Sequence, residues 1–152
     1  MIVSDIMTEA SVADIPGDTL RAAATRMWRQ QTGSLLIMDG DRLVGILTER
    51  DLLRAVARGE DVDATRVDQV MTTDVHTVTP EAPLHETARL MAAHWIRHLP
   101  VVKSDKVVGV VSQRDLVGIL AALGPSSPGG ELPSDQLVRA RRLARIEHGD
   151  LD

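Results

Sequence analysis

Two hydrophobic periods run through the chain and predict its elements. Leu20, Ala23, Ala24, Met27 and Trp28 recur at helical spacing, which predicts a helix over Leu20–Gln31 ended by Gly33. Leu35–Met38 and Leu43–Leu47 are short apolar runs on either side of Asp39-Gly40-Asp41, a hairpin turn signal. Ahead of them, residues 3–8 read as a helical turn capped by Ser4, Val12–Ile15 as a short strand, and Pro16-Gly17-Asp18 as a turn. Asp51–Arg58 reads as a second helix stopped by Gly59. After a polar linker, Glu60–Thr65, the order returns. Thr77–Thr79 is a strand, with Thr79 as a candidate cap, and Leu84–Trp95 is a helix striped at Leu84, Ala88, Met91 and Trp95. Leu99–Val102 and Lys106–Val111 form a hairpin turning at Ser104-Asp105, and Asp115–Leu123 is the last helix. Each half is β-α-β-β-α.

The halves also match residue by residue. Gly45-Ile46-Leu47-Thr48-Glu49-Arg50-Asp51-Leu52 returns 64 residues later as Gly109-Val110-Val111-Ser112-Gln113-Arg114-Asp115-Leu116, and without a gap Asp5–Leu52 lies over Gln69–Leu116. Pro16 falls on Pro80, Met7-Thr8 on Met71-Thr72, and Met27 on Met91. Two units are too few for an open solenoid, so a closed pair is expected. The fold class is α/β (α+β), with the two repeats related by a pseudo-twofold axis and a helical tail at the C-terminus. Residues 1–64 and 65–123 are the repeats, 124–133 a Gly/Pro/Ser linker and 134–152 the tail helix.

These residues carry a family resemblance. From Val3 to Leu123 the chain resembles a tandem pair of CBS domains, a Bateman module. The resemblance rests on Asp5-Ile6-Met7-Thr8 and Val70-Met71-Thr72, on Arg97-His98-Leu99-Pro100-Val101-Val102, and on the two Gly-x-x-[Thr/Ser]-x-x-Asp segments. It implies clefts between the repeats that hold an adenosine ligand.

Read by itself, each Thr/Ser-x-x-Asp segment is a capping box at the start of a helix. The same groups suit a nucleotide. A carboxylate can accept from both hydroxyls of a ribose, and the first turn of a helix offers free N–H groups to phosphate. Thr48 and Asp51, or Ser112 and Asp115, bring these together beside an apolar strand end, with Arg50 and Arg114 placed to reach phosphate. The resemblance assigns the Thr/Ser and Asp to the phosphate–ribose part of the ligand. It also implies phosphate contacts at Arg97 and His98, beside Pro100, and backbone contacts to adenine at Thr77 and Val78. The counterpart of the latter pair is Ala13-Asp14, whose acid would repel a phosphate. A surface role for Arg97 and His98 is the competing reading.

Composition narrows the function classes. The net charge of −5 gives no general attraction for nucleic acid, and Phe and Tyr are absent, so stacking on bases is left to Trp28 and Trp95. Trp95 is expected in the core or at an interface. Cysteine is absent, which removes disulfides and thiolate metal sites and suits a cytoplasmic location. The N-terminal residues lack a signal-peptide pattern, and no apolar run reaches the ~18 residues of a membrane span. His76, His85, His94, His98 and His148 form no ligand pattern, so no metal is expected. Nothing resembles a nucleophile elbow or a Walker loop, so no catalytic residues are expected.

The reading is a regulatory module, not an enzyme, that senses AMP, ADP, ATP or a related adenosyl ligand, with no required cofactor and an effector protein as partner. The alternatives are an assembly module with vestigial clefts, or a nucleic-acid-associated regulator using Arg139, Arg141, Arg142 and Arg145 of the tail. A homodimer is expected because Leu116–Leu123 is apolar or glycine throughout and leaves the last helix no polar face. Fold-back of the tail onto that face is the competing arrangement.

Overall fold

A computed structural model of the chain describes residues 1–9 and 12–123. The chain divides into a unit Met1–Leu120, which holds both repeats, and a unit Ala121–Asp152. The expectations for the linker and the tail helix lie outside the described residues.

In the first repeat, β1 (Ala13–Asp14) pairs in parallel with β2 (Ser34–Asp39), which pairs antiparallel with β3 (Arg42–Thr48). Helix α1 (Leu20–Gln30) precedes the hairpin and α2 (Glu49–Ala57) follows it. The second repeat has α3 (Leu84–His94), the hairpin β4 (His98–Lys103) and β5 (Lys106–Ser112), and α4 (Gln113–Leu123). The expected strand over Thr77–Thr79 is reduced to a single parallel bridge, Val78 to Val101. Both hairpins carry an irregularity at the same place, between Ile37 and Met38 and between Val101 and Val102.

Turns and caps follow local chemistry, with some corrections. Ser104 and Asp105 turn the second hairpin at φ 50° and 62°, and Gly40 sits at φ 60° in the first. Ser4 is not the cap of the first turn. Asp5 reaches back to accept from the Ile2 N–H at 2.9 Å, and Gln69 does the same for Arg66 at 2.8 Å. Thr79 is not a cap either: Pro83 holds that position, whereas its counterpart Thr19 caps α1. Gly33 does not end α1. Gln31 does, in the left-handed region at φ 53°, and Trp95 ends α3 at φ 55°. A Cβ at Gly33 would lie 2.8 Å from Glu49 Oε1, the movable end of an exposed side chain.

Two apolar clusters result, and each borrows from the other repeat. Leu20, Ala23, Met27, Leu35, Ile37, Leu47 and Ala55 pack with Val67, from the start of the second repeat. Met91, Leu99, Val101 and Val111 pack with Val3, from the start of the first. The backbone makes the same exchange. Thr8 bridges Val110, and Thr72 bridges Ile46. Gly45 and Gly109 let these segments approach, because an added Cβ would meet Met71 Sδ at 2.5 Å or the Thr8 carbonyl oxygen at 2.6 Å.

The helical stripes are narrower than expected. Trp28 is 77% exposed, and Trp95, at 39%, is not a core residue. Leu20, Ala23 and Met27 suffice to seat α1, and Trp28 falls just beyond the strip that the sheet covers. No helix among the described residues is long and apolar enough to cross a membrane.

Candidate functional site

A cleft of about 590 Å³ opens between the repeats. Its apolar wall is Val12, Leu36, Val110 and Val117. Its polar side includes Ser112, Arg114 and Asp115 from the second repeat's motif, Arg97 and His98, and Glu49 from the first. The reciprocal crossing of the entry segments at Thr8 and Thr72 explains the mixture. It brings the first turn of α4 opposite Val12 and β2, so the motif of one repeat faces the wall of the other.

Both aspartates are caps, but each uses one oxygen for it. Asp115 Oδ2 accepts from the Ser112 N–H and hydroxyl, each at 2.7 Å. Asp51 Oδ2 accepts from the Thr48 N–H at 2.8 Å and hydroxyl at 2.9 Å. The second oxygens differ. Asp51 Oδ1 accepts from Arg54 Nη2 at 3.2 Å, and the residue is 3% exposed. Asp115 Oδ1 has no hydrogen-bond partner among the described residues. A carboxylate oxygen so placed, on a wetted wall, is free to accept from a ligand hydroxyl.

His98 is half-buried. Burial and then the neighbouring Arg97 guanidinium hold it below its ordinary value, against the opposing pull of Glu49 and Asp115. It therefore stands as a neutral donor and acceptor near neutral pH. Arg97 Nη2 is 2.7 Å from Glu49 Oε1. Arg114 makes no ion pair among the described residues.

Of the residues expected to bind a nucleotide, the structure brings Arg97, His98, Ser112, Arg114 and Asp115 into this cleft. Thr48, Arg50, Asp51, Thr77, Val78 and Pro100 do not line it. The physical reason is the same crossing: Thr77, Val78 and Pro100 belong to the second repeat's wall, which faces the first repeat's motif. On that side His76 and His94 stack with ring centroids 3.8 Å apart, and Arg50 Nη1 donates to the Trp95 carbonyl at 3.1 Å. Asp14 does not reach the cleft. It is buried beside Arg26, whose Nε is 3.5 Å from its Oδ2.

Sequence reasoning missed Val12, Leu36 and the Gln30–Ser34 segment that line the opening. The signal was present in the repeat offset: Val12 aligns with His76 and Leu36 with Pro100, so the two walls differ in residue type.

Comparison with known proteins agrees with this architecture. The sequence pattern of the CBS domain matches residues 3–58 and 67–122. The CBS domain-containing protein YhcV of Bacillus subtilis is 36% identical over 115 residues, 75% of this chain and 81% of that protein. The CBS domain protein of Pyrobaculum aerophilum, solved in complex with AMP, matches with a TM-score of 0.73 at 31% identity, over 83% of this chain and 100% of that one. The CBS domain pair of protein MJ0100, solved with 5′-methylthioadenosine and S-adenosyl-L-methionine, matches with a TM-score of 0.75 at 25% identity, over 81% and 98%.

Proposed function

The chain belongs to the CBS domain family as a tandem pair, and from that premise we propose that it is a regulatory module sensing an adenosyl ligand. The observation that carries the reading is the uncommitted second oxygen of Asp115, set in a cleft with an apolar wall on one side and Arg114 on the other. A base resting on Val12, Leu36 and Val110 would bring its ribose diol to Asp115. Its 5′ substituent would then meet the first turn of α4, where backbone N–H groups and the helix dipole favour negative charge. The ligands bound by the Pyrobaculum protein and by MJ0100 support this class of molecule. On this reading the Ser112 hydroxyl is spent on the Asp115 cap, and the module binds its ligand rather than transforming it. Regulation then requires that the ligand favour one arrangement of the repeats over another, and that an effector protein read the difference. We place it in the cytoplasm as a homodimer.

Calorimetry and thermal melts with AMP, ADP, ATP, NADH and S-adenosylmethionine test the proposal. Binding at roughly micromolar dissociation constant is expected, equivalent to about −8 kcal/mol. A chain that answers to none of them would instead be an assembly module with vestigial clefts.

A further inference from the structure

The cleft has a charge pattern of its own. Its lining carries two anions, Glu49 and Asp115, against two cations, Arg97 and Arg114. Asp115 is committed to its cap through one oxygen, and its other oxygen is the one assigned above to the ribose. Arg97 is already taken by Glu49 at 2.7 Å. His98 lies beside them: its Cε1 and Glu49 Oε1 both crowd the space over Gly33, at 3.2 and 2.8 Å from where a Cβ would stand. This leaves Arg114 as the cation in the lining without an ion pair among the described residues. The pattern is not duplicated by the repeat. The counterpart of Glu49 is Gln113, and that of Arg97 is Gly33, both neutral.

A ligand anchored by its base and diol must direct its 5′ substituent toward this polar side. One phosphate can pair with Arg114 and the first turn of α4. Each further phosphate would lie against the Glu49 carboxylate or compete with it for Arg97, and this half-exposed pair leaves the like charges to repel. We propose that Glu49 is a specificity-determining residue, which makes the cleft prefer adenosyl ligands with a single phosphate over triphosphates. The inference rests on the sensing function proposed above and names the ligand class within it.

Calorimetry with AMP, ADP and ATP on the full chain, with EDTA present so that no divalent cation bridges phosphate to carboxylate, tests the preference. The native protein should bind AMP at least tenfold more tightly than ATP, with ADP between. Glu49→Gln should tighten ATP at least threefold and narrow the ratio. Glu81→Gln removes the same charge from a pair with Lys103 outside the cleft lining, and should leave the ratio as it is. ATP binding as tightly as AMP, or a ratio unmoved in Glu49→Gln while AMP still binds, would overturn the role of Glu49 and leave the sensing function standing. Absence of binding by all three nucleotides and by S-adenosylmethionine would instead remove the sensing function, and this inference with it.

Discussion

Asp51 and Asp115 stand 64 residues apart at equivalent positions and make the same cap, yet only Asp51 has its second oxygen taken by an arginine. The arginine is Arg54, and its counterpart is Gly118. One substitution between the repeats thus separates a carboxylate locked to its own helix from one open to a ligand. Asp115→Asn should weaken adenosyl-ligand binding at least tenfold, about 1.4 kcal/mol, while Asp51→Asn changes it less than twofold. Calorimetry on the two variants checks this, and equal effects would place the ligand elsewhere.

Installing the missing arginine is the converse. A Cβ added at Gly118 meets nothing within 4 Å, so Gly118→Arg is accommodated and can turn back to Asp115 across one helical turn. Ligand affinity should fall at least fivefold. Gly118→Ala supplies no such group and should leave affinity unchanged while stabilising the helix by about 0.5–1 kcal/mol, measured by urea unfolding.

The buried carboxyl of Asp14 predicts a pH dependence. Its pKa is pushed up to about 6, first by burial and then by the hydrogen bond with Asp18, against the Ile15 N–H and Arg26, which lower it. A carboxyl whose native value lies above its unfolded value holds its proton longer in the folded state. Its contribution is therefore full below the unfolded value of 3.8 and is lost as pH rises through about 6. Urea unfolding between pH 4.5 and 7.5 should show this carboxyl favouring the folded state toward the acid end, by at most about 3 kcal/mol. Asp14→Asn should flatten that slope; an unchanged slope would assign it to another group.

Gly109 and Gly45 should differ in tolerance. At Gly109 a Cβ meets the Thr8 carbonyl at 2.6 Å, a backbone atom that cannot step aside, whereas the nearest atom at Gly45 is the thioether of Met71. Gly109→Ala should cost about 1–3 kcal/mol by overpacking. Gly45→Ala should cost less, although the Thr72 carbonyl at 3.0 Å keeps it above zero. Thermal melts of the two variants give the order directly.

The proposed homodimer has a testable surface. Leu53 and Val56 of α2 are 70% and 62% exposed, and their equivalents Val117 and Leu120 of α4 are 55% and 70% exposed. Apolar positions repeated by the internal pseudo-symmetry can meet their own copies across a twofold axis. Light scattering should give a dimer for the full chain and a monomer for Leu53→Lys with Leu120→Lys. A monomeric native chain would refute the dimer.

Much of this was legible in the sequence because it is local. The hairpin turns, the two motif caps and the apolar stripe at Leu20, Ala23 and Met27 each depend on a few neighbouring residues. What escaped depends on partners far along the chain. Val12 and Leu36 look like ordinary strand residues until the second repeat's helix is laid against them. Gln31 and Trp95 gave no warning of a left-handed backbone, since glycine is the usual choice there. Here the bonds from the Thr32 and Ile96 N–H groups back to the Met27 and Met91 carbonyls close each helix instead.

The reciprocal seating of Val3 and Val67 makes each half of the chain the missing piece of the other. A fragment cut in the 60–65 connection would carry a wedge fitted to its sister and a hole fitted to its sister's wedge. Neither fragment has a complete interior by itself, so the two should be helpless apart and restore one another when mixed. Heat or urea should for the same reason dismantle both repeats in one step rather than in sequence. The internal duplication should then behave as a single cooperative body, in which a ligand that steadies one repeat steadies its twin.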